Sequence, residues 1–188
     1  MKIAIIGARS AAKEALAHRM AANAQMNGRG CLVLDDVSQK FHLAYDNINV
    51  DSCYYIICQQ IVDELEKKSY EYSDLICLSS AIDPILYLNL RKVKQPYDEL
   101  RRLAEKWMHT YDVILYVKSS ENENAVADEF HMFQEQVDKA FDYYLQNYFK
   151  ESLKTNIFKI ESDDIFHHPT TILLNAVAAE EDWIKNFV

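Results

Sequence analysis

The chain has 188 residues, of which 49% are hydrophobic and 12% aromatic, a length that suits one domain with or without a small lid. Its 3 glycines and 3 prolines are too few for a disordered chain or a turn-dense all-β fold. A formal net charge of -9 argues against a uniform phosphate-neutralising surface for nucleic acid. No stretch approaches the roughly 20 apolar residues of a membrane span, and the N-terminus lacks a signal peptide's apolar core. We therefore expect a cytoplasmic protein without membrane contact.

Short apolar runs alternate with segments of helical periodicity along the chain. In chain order the sequence predicts a strand at 2–6, a helix at 13–25, a strand at 31–34, a helix at 51–68, a strand at 75–78, helices at 82–90 and 97–110, a strand at 113–117, a helix at 127–151, a strand at 156–160 and a helix at 170–187. This alternation predicts an α/β fold with about five parallel strands and helices on both faces of the sheet. Ligands of such sheets bind beyond the carboxyl ends of the strands.

One domain over residues 1–188 is expected, because no linker or internal repeat divides the chain. The polar run 119–124 favours a loop, and we place a lid at 119–130. In the predicted helix 51–68, apolar residues recur at helical spacing: Tyr54, Ile57, Ile61 and Leu65.

The cysteines favour reduced thiols in a protein core. They are Cys31, Cys53, Cys58 and Cys77. No two of them form a CxxC pair, no histidine lies at zinc-finger spacing from them, and most lie in apolar runs.

The segment that follows the first strand has the spacing of a phosphate-binding P-loop. Residues 7–14 read Gly-Ala-Arg-Ser-Ala-Ala-Lys-Glu, whereas a P-loop reads GxxxxGK[ST] between a strand and a helix. The first glycine, the spacing and Lys13 are present, but Ala12 replaces the second glycine and Glu14 replaces the Ser or Thr. We interpret the segment as an eroded P-loop; the alternative is an ordinary strand–turn–helix with a surface lysine.

An eroded P-loop makes specific predictions about a nucleotide site. Backbone N–H groups of the loop and the helix start would hold phosphates, and Lys13 would neutralise their charge. The missing hydroxyl would hold Mg²⁺, and Glu14 is a candidate metal ligand in its place. The candidate cofactor-binding residues are Gly7, Arg9, Ser10, Ala12, Lys13 and Glu14.

The second predicted strand ends on Asp35 and Asp36, and the run Leu-Val-Leu-Asp-Asp resembles a Walker B strand. Asp36 is the candidate catalytic base or metal ligand, and Lys13 is the other candidate catalytic residue. The alternative for Asp36 is a solvated strand end or a helix N-cap.

Residues 1–160 resemble the family of P-loop ATPase-like small kinases, which includes the nicotinamide-riboside kinase domain and phage or bacterial deoxynucleoside monophosphate kinases. Besides the loop, Ser80, Asp83 and Tyr87 match the family pattern after the third strand. Leu78 and Ser79 stand where that family has aspartate and arginine. The resemblance implies a P-loop nucleotide-kinase fold with ATP and Mg²⁺ as cofactors. The two departures from the family pattern put catalysis in doubt.

The later part of the chain agrees with the resemblance and departs from it again at the lid. Tyr111-Asp112 precedes the fourth strand and Glu129-Phe130 follows the lid, as in the family. Residues 119–128 contain no arginine, although lid arginines would offset charge on a transferred phosphoryl group.

Four other features have both a functional and a purely structural interpretation. Gln59 and Gln60, with Tyr54 and Tyr55, resemble base-reading groups of related kinases, but an amphipathic helix also explains them. A basic cluster could bind phosphate or nucleic acid, but it more simply pairs with Glu99 and Glu105: Arg91, Lys92, Lys94, Arg101, Arg102 and Lys106. The remaining two are residues 167–168, two adjacent histidines without metal-ligand spacing, and residues 143–144 and 148–149, aromatic pairs typical of core or dimer packing.

These observations predict a degenerate nucleoside- or nucleotide-kinase-like pseudo-enzyme. It would bind nucleotide weakly or not at all and act through a protein partner, or as a nucleotide sensor, and a homodimer is compatible with this. The first alternative is an active nucleoside or nucleoside monophosphate kinase that uses Lys13, Asp36 and Glu14. The second is a nucleic-acid-associated factor that uses the basic cluster.

Overall fold

Five parallel strands form one sheet in the order β2-β3-β1-β4-β5. The structure is a computed structural model that describes residues 1–8, 10–40, 48–69, 74–94, 96–118, 131–145, 147, 156–161 and 165. The strands are β1 (Lys2–Ile6), β2 (Cys31–Leu34), β3 (Asp74–Cys77), β4 (Val113–Lys118) and β5 (Asn156–Glu161). The predicted five-stranded parallel sheet is therefore confirmed, with every strand within one or two residues of its expected position.

Six helices lie among the described residues. They are α1 (Ala11–Met26), α2 (Val37–Lys40), α3 (Val50–Ser69), α4 (Asp83–Leu90), α5 (Asp98–Met108) and α6 (His131–Tyr144). The short helix α2 was not expected, because the sequence indicated only a loose stretch after the second strand. The predicted helix 170–187 and the lid 119–130 lie outside the described residues.

Helices cover both faces of the sheet, as expected. Ile3 and Ile5 of β1 belong to the apolar cluster beneath α1. Ala4 and Ile6 belong to the cluster formed with α3, α4, α5 and α6. Since crossovers between parallel strands are right-handed, the backward step from β1 to β2 places α1 on one face of the sheet, and the forward steps place α3 to α6 on the other.

The same strand order predicts where a ligand would bind. β1 lies between β3 and β4, and the chain leaves β1 towards α1 on one face but leaves β3 towards α4 on the other. Neighbouring strands whose connections diverge in this way open a crevice at their carboxyl ends. The strand order therefore predicts a ligand crevice between Gly7 and the segment 79–80.

Helix α3 buries a different face from the one its apolar spacing suggests. Ile57 is fully buried, but Tyr54 and Leu65 are exposed and Ile61 is only partly buried. Gln60 and Glu64 are buried instead. The helix itself is confirmed, whereas its orientation depends on partners from distant parts of the chain.

Three of the cysteines are core thiols, as expected. Cys31, Cys53 and Cys77 are buried and unpaired, whereas Cys58 is an exposed free thiol on α3. The expectation is therefore wrong for Cys58, because α3 directs this residue away from the sheet.

Candidate nucleotide site

Gly7 directly follows β1 and has a conformation that only glycine adopts readily. Its φ is +126°, and a Cβ added there would lie 2.1 Å from the carbonyl oxygen of Val117. The loop can therefore pass against β4 only because this residue has no side chain. The first glycine of the motif is thus required by the fold.

Ser10 caps the helix that follows the loop. Its Oγ accepts a hydrogen bond from the backbone N–H of Lys13 at 3.4 Å, and α1 begins at Ala11. Ala12 is fully buried in the cluster beneath α1, so its methyl group packs among apolar side chains. The first turn of α1 therefore presents its backbone N–H groups at the carboxyl edge of the sheet.

Lys13 is a buried residue of the loop. It is only 5% exposed, and its Nζ donates a hydrogen bond to the carbonyl oxygen of Gly7 at 3.2 Å. A surface lysine, the alternative considered for this position, does not describe it. Burying an ammonium group is costly unless anionic or carbonyl oxygens compensate its charge, so this position suits a group that meets an anion.

Asp83 is a further member of the site that was not among the predicted site residues. Its Oδ1 accepts a hydrogen bond from Ser80 Oγ at 2.8 Å, and the carboxyl group is buried. Burial raises the pKa of Asp83 to about 6, the charge of Lys13 lowers it, and the charge of Asp36 raises it. The three charged groups are therefore close enough to act on one another. The sequence signal was the match of Ser80 and Asp83 to the kinase pattern.

Asp36 directly precedes helix α2. Its Oδ1 accepts hydrogen bonds from Ser38 N at 2.9 Å and from Ser38 Oγ at 2.7 Å. These contacts correspond to the helix N-cap considered for this residue. Asp36 thus has a structural role while its charge still acts on Asp83.

Glu14 and Arg9 are the two remaining predicted site residues. Glu14 is exposed in the first turn of α1. Arg9 lies outside the described residues.

Leu78 and Ser79, which follow β3, have structural roles at the positions where the family that the sequence resembles carries an aspartate and an arginine. Leu78 lies in the apolar cluster beneath α1. Ser79 Oγ donates a hydrogen bond to Gln60 Oε1 at 3.0 Å, and Gln60 Nε2 donates to Glu64 Oε1 at 2.6 Å. The two substitutions are therefore integrated into the core and its hydrogen-bond network.

The predicted base-reading groups on α3 lie in different environments. Gln59 Nε2 donates to Asp63 Oδ1 at 2.6 Å, and Gln60 is buried in its bonds to Glu64 and Ser79. Tyr54 and Tyr55 are exposed.

The basic cluster is partly paired within its own helix. Arg101 lies 3.3 Å from Asp98 and 3.8 Å from Glu105. Asp98 thus takes part in the pairing, which the sequence assigned to Glu99 and Glu105. Such exposed pairs contribute little to stability.

The residues around the loop fit a phosphate group better than a magnesium ion. Lys13 and the amides at the start of α1 are typical phosphate donors. Glu14 is exposed, and oxygens of Asp36 and Asp83 already accept hydrogen bonds from Ser38 and Ser80. Among the described residues, no group of three or more His, Cys, Asp or Glu side chains is arranged to hold a metal ion.

A comparison with protein-family models and with curated proteins finds no match for the chain. Within the part that the structure describes, no helix is both long enough and apolar enough to cross a membrane.

The raised pKa of Asp83 makes stability depend on pH in a specific direction. Between the ordinary value of 3.8 and about 6, the folded state binds more protons than the unfolded state. Stability therefore falls as the pH rises through this window. We expect the free energy of unfolding of the wild type, relative to Asp83→Asn, to fall by up to about 3 kcal/mol from pH 4 to pH 7.

Urea unfolding at pH 4, 5, 6 and 7 measures this difference. Asp35→Asn is the control at an exposed carboxylate on the neighbouring strand end. A difference between the wild type and Asp83→Asn that stays constant over this range would contradict the assignment.

Proposed function

We propose that this protein is a degenerate relative of the P-loop nucleoside and nucleotide kinases that binds nucleotide phosphates weakly at the loop between β1 and α1. It acts as a pseudo-enzyme, by sensing nucleotide or through a protein partner. The observation that carries the proposal is the buried ammonium of Lys13, which contacts Gly7 O at the carboxyl edge of the sheet. A bound phosphate oxygen would exchange this carbonyl contact for a stronger, charge-assisted one.

Several features support the absence of efficient phosphoryl transfer. Leu78 and Ser79 occupy the positions of the aspartate and arginine that the resemblance leads one to expect, and both are buried in structural roles. Glu14, in place of the metal-binding hydroxyl, is exposed. A site that keeps its phosphate-binding lysine but lacks these groups favours binding without turnover.

Nucleotide binding is tested by calorimetry on the full chain with ATP, GTP and deoxynucleotides, with and without Mg²⁺. We expect weak binding that Lys13→Met reduces by about 10- to 100-fold, the range of a charge-assisted hydrogen bond. Methionine keeps the length of the buried aliphatic chain. Lys68→Met, at an exposed lysine of α3, is the matched control and should leave the affinity unchanged. Absence of binding at millimolar nucleotide would contradict the proposal.

An active kinase is the second candidate, and Asp83 is the observation that favours it. A buried carboxyl with a pKa of about 6 beside Lys13 has the proton affinity of a general base near neutral pH. In this case the chain would transfer phosphate from ATP to a nucleoside or nucleoside monophosphate, and Asp83→Asn would abolish transfer while nucleotide binding persists. Binding without any transfer across a panel of such acceptors supports the pseudo-enzyme.

A further inference from the structure

Three charged side chains from separate parts of the chain act on one another beside the loop between β1 and α1. Lys13 lies in the first turn of α1, Asp36 directly precedes α2, and Asp83 is the first residue of α4. Burial has the largest effect on the pKa of Asp83 and raises it, the charge of Lys13 lowers it, and the charge of Asp36 raises it. The protonation of Asp83 therefore depends on the charges that surround Lys13.

The strand pairing brings Lys13 and Asp83 to the same edge of the sheet, independently of their charges. Gly7 and Ser80 each lie three residues beyond the last pair of the register between β1 and β3. Lys13 Nζ donates to Gly7 O at 3.2 Å. Asp83 Oδ1 accepts from Ser80 Oγ at 2.8 Å. Since neighbouring strands are about 4.8 Å apart, the ammonium and the carboxyl group are held at adjacent strand ends.

We propose that Asp83 takes up a proton when a phosphate group binds at Lys13, so that this site binds phosphate more tightly as the pH falls. The inference rests on the proposed function, because it requires phosphate to bind at the loop. A phosphate group at Lys13 places its negative charge near the Asp83 carboxylate and offsets the positive charge that favours the ionised carboxylate. Like charges in one site disfavour the ionised form of a carboxyl group. A proton from solvent on Asp83 removes this repulsion.

Asp83 has an oxygen that can carry the proton. Its Oδ1 holds the short hydrogen bond from Ser80 Oγ, whereas Oδ2 accepts only a long one, at 3.4 Å, from the backbone N–H of Ser80. A proton on Oδ2 leaves the short hydrogen bond in place and makes this oxygen a donor. The carboxyl group then changes from one that repels phosphate to one that can donate a hydrogen bond to it.

Other titratable groups lie on the elements that pack against α4. The thiol of Cys53 on α3 donates to a carbonyl oxygen in the first turn of α4, and burial raises its pKa to about 12. Before β4, burial and then the charge of Glu64 raise the pKa of Tyr111 well above 10, and the charge of Asp83 adds to this rise. Helix α6 carries the buried Asp138, which accepts a hydrogen bond from a side chain of β4. The thiol and the phenol stay uncharged near neutral pH, so neither of them supplies the proton.

Calorimetry of the full chain with ATP at pH 5.5 and pH 7.5 tests the proposal. The unliganded carboxyl group has a pKa of about 6, so affinity falls as the pH rises above this value if the bound state holds the proton. We expect the affinity of the wild type to fall by about tenfold more than that of Asp83→Asn over this range. Asparagine keeps the shape of the side chain and the acceptor for Ser80 Oγ. Because the titration of ATP itself is common to both proteins, the difference between them reports Asp83.

The number of protons taken up is measured by repeating the ATP titration at pH 6.5 in buffers that differ in ionisation enthalpy. The wild type should take up roughly half a proton to one proton more per bound ATP than Asp83→Asn does. Glu99→Gln, which removes an exposed carboxylate of α5, is the matched control and should behave as the wild type in both measurements.

The coupling between Lys13 and Asp83 is also measurable without any ligand. Carbon-13 NMR of the carboxyl groups gives the pH midpoint of Asp83. Lys13→Met should move this midpoint to higher pH, because it removes the charge that lowers it. Asp36→Asn should move it to lower pH, and asparagine preserves the helix N-cap.

The possible outcomes separate this inference from the proposed function. ATP binding with the same pH dependence in the wild type and in Asp83→Asn would overturn the inference and leave the proposed function standing. An Asp83 midpoint that Lys13→Met leaves unchanged would likewise overturn the inference alone. Absence of ATP binding at both pH values would overturn the proposed function and, with it, the inference.

Discussion

Replacing Glu64 by alanine should destabilise the protein by about 3–5 kcal/mol, because it leaves a buried ammonium without its carboxylate. Glu64 is 1% exposed. Its Oε2 accepts hydrogen bonds from Lys2 Nζ at 2.5 Å and from Trp107 Nε1 at 2.7 Å. Its Oε1 accepts from Tyr111 OH at 2.5 Å and from Gln60 Nε2 at 2.6 Å. One carboxylate thus joins β1, α3, α5 and the segment before β4.

Within the part of the chain that the structure describes, the other contacts of Lys2 Nζ are to an uncharged hydroxyl and to two aromatic rings. Its Nζ also donates to Thr110 Oγ1 at 2.5 Å and lies 4.4 Å from the ring centre of Trp107 and 4.3 Å from that of Tyr111. These cation–π contacts contribute only about 1–2 kcal/mol. The ammonium would therefore remain buried at a net cost.

Denaturant unfolding and calorimetry measure the loss for Glu64→Ala, and a melting temperature lower by roughly 10 °C is expected for a chain of this size. Glu99→Ala, at an exposed glutamate of α5, should change stability by no more than about 0.5 kcal/mol. The double replacement Lys2→Met with Glu64→Gln should recover part of the loss, because it removes both buried charges while the amide oxygen can still accept a hydrogen bond from Tyr111 OH or Trp107 Nε1. A loss below about 1 kcal/mol for Glu64→Ala would contradict the assigned role.

Tyr111 offers a spectroscopic readout of the same network. Burial, followed by the negative charge of Glu64, raises the pKa of Tyr111 well above its ordinary value of 10. An ultraviolet titration of Glu64→Gln, which keeps the side-chain shape, should show Tyr111 ionising at a lower pH than in the wild type. An unchanged titration would mean that the carboxylate charge does not reach Tyr111.

Replacing Gly7 by alanine should lower the free energy of unfolding by at least about 4 kcal/mol, a loss that few single substitutions produce. The new Cβ would lie 2.1 Å from Val117 O, which belongs to the backbone of β4 and cannot move without disturbing the sheet. The φ of +126° adds backbone strain for any residue with a side chain. Because Gly7 O also contacts Lys13, the proposed function predicts that the variant binds nucleotide more weakly than the wild type.

Gly28 is the matched control for Gly7. It too has a positive φ, +74°, but no atom lies within 4 Å of an added Cβ. Gly28→Ala should therefore cost only about 1–2 kcal/mol, from backbone strain alone. Urea unfolding of both variants distinguishes the effect of backbone strain from that of the steric clash with Val117 O. Equal losses of unfolding free energy would show that the clash does not contribute.

The sequence alone determined the elements of the sheet and the position of the loop. Each strand is a short apolar run, and a strand buried on both faces must be apolar throughout, so local composition is sufficient to locate it. Gly7 and Lys13 were also identified from the sequence, since the spacing of a phosphate-binding loop is a local property. Whether nucleotide binds there, and whether Asp36 and Glu14 take part, stay predictions.

Only the tertiary structure decided which residues surround that loop and which face of α3 is buried. The charge of Lys13 acts on Asp83 because β3 lies beside β1, a strand order that the sequence did not specify. The buried face of α3 contains Glu64 because its hydrogen-bond donors come from Lys2, Trp107 and Tyr111, which are far apart along the chain. Helical periodicity favours apolar residues inside, but donors that are distant in sequence can make a buried carboxylate the better solution. The same orientation of α3 leaves Tyr54, Val62 and Leu65 exposed.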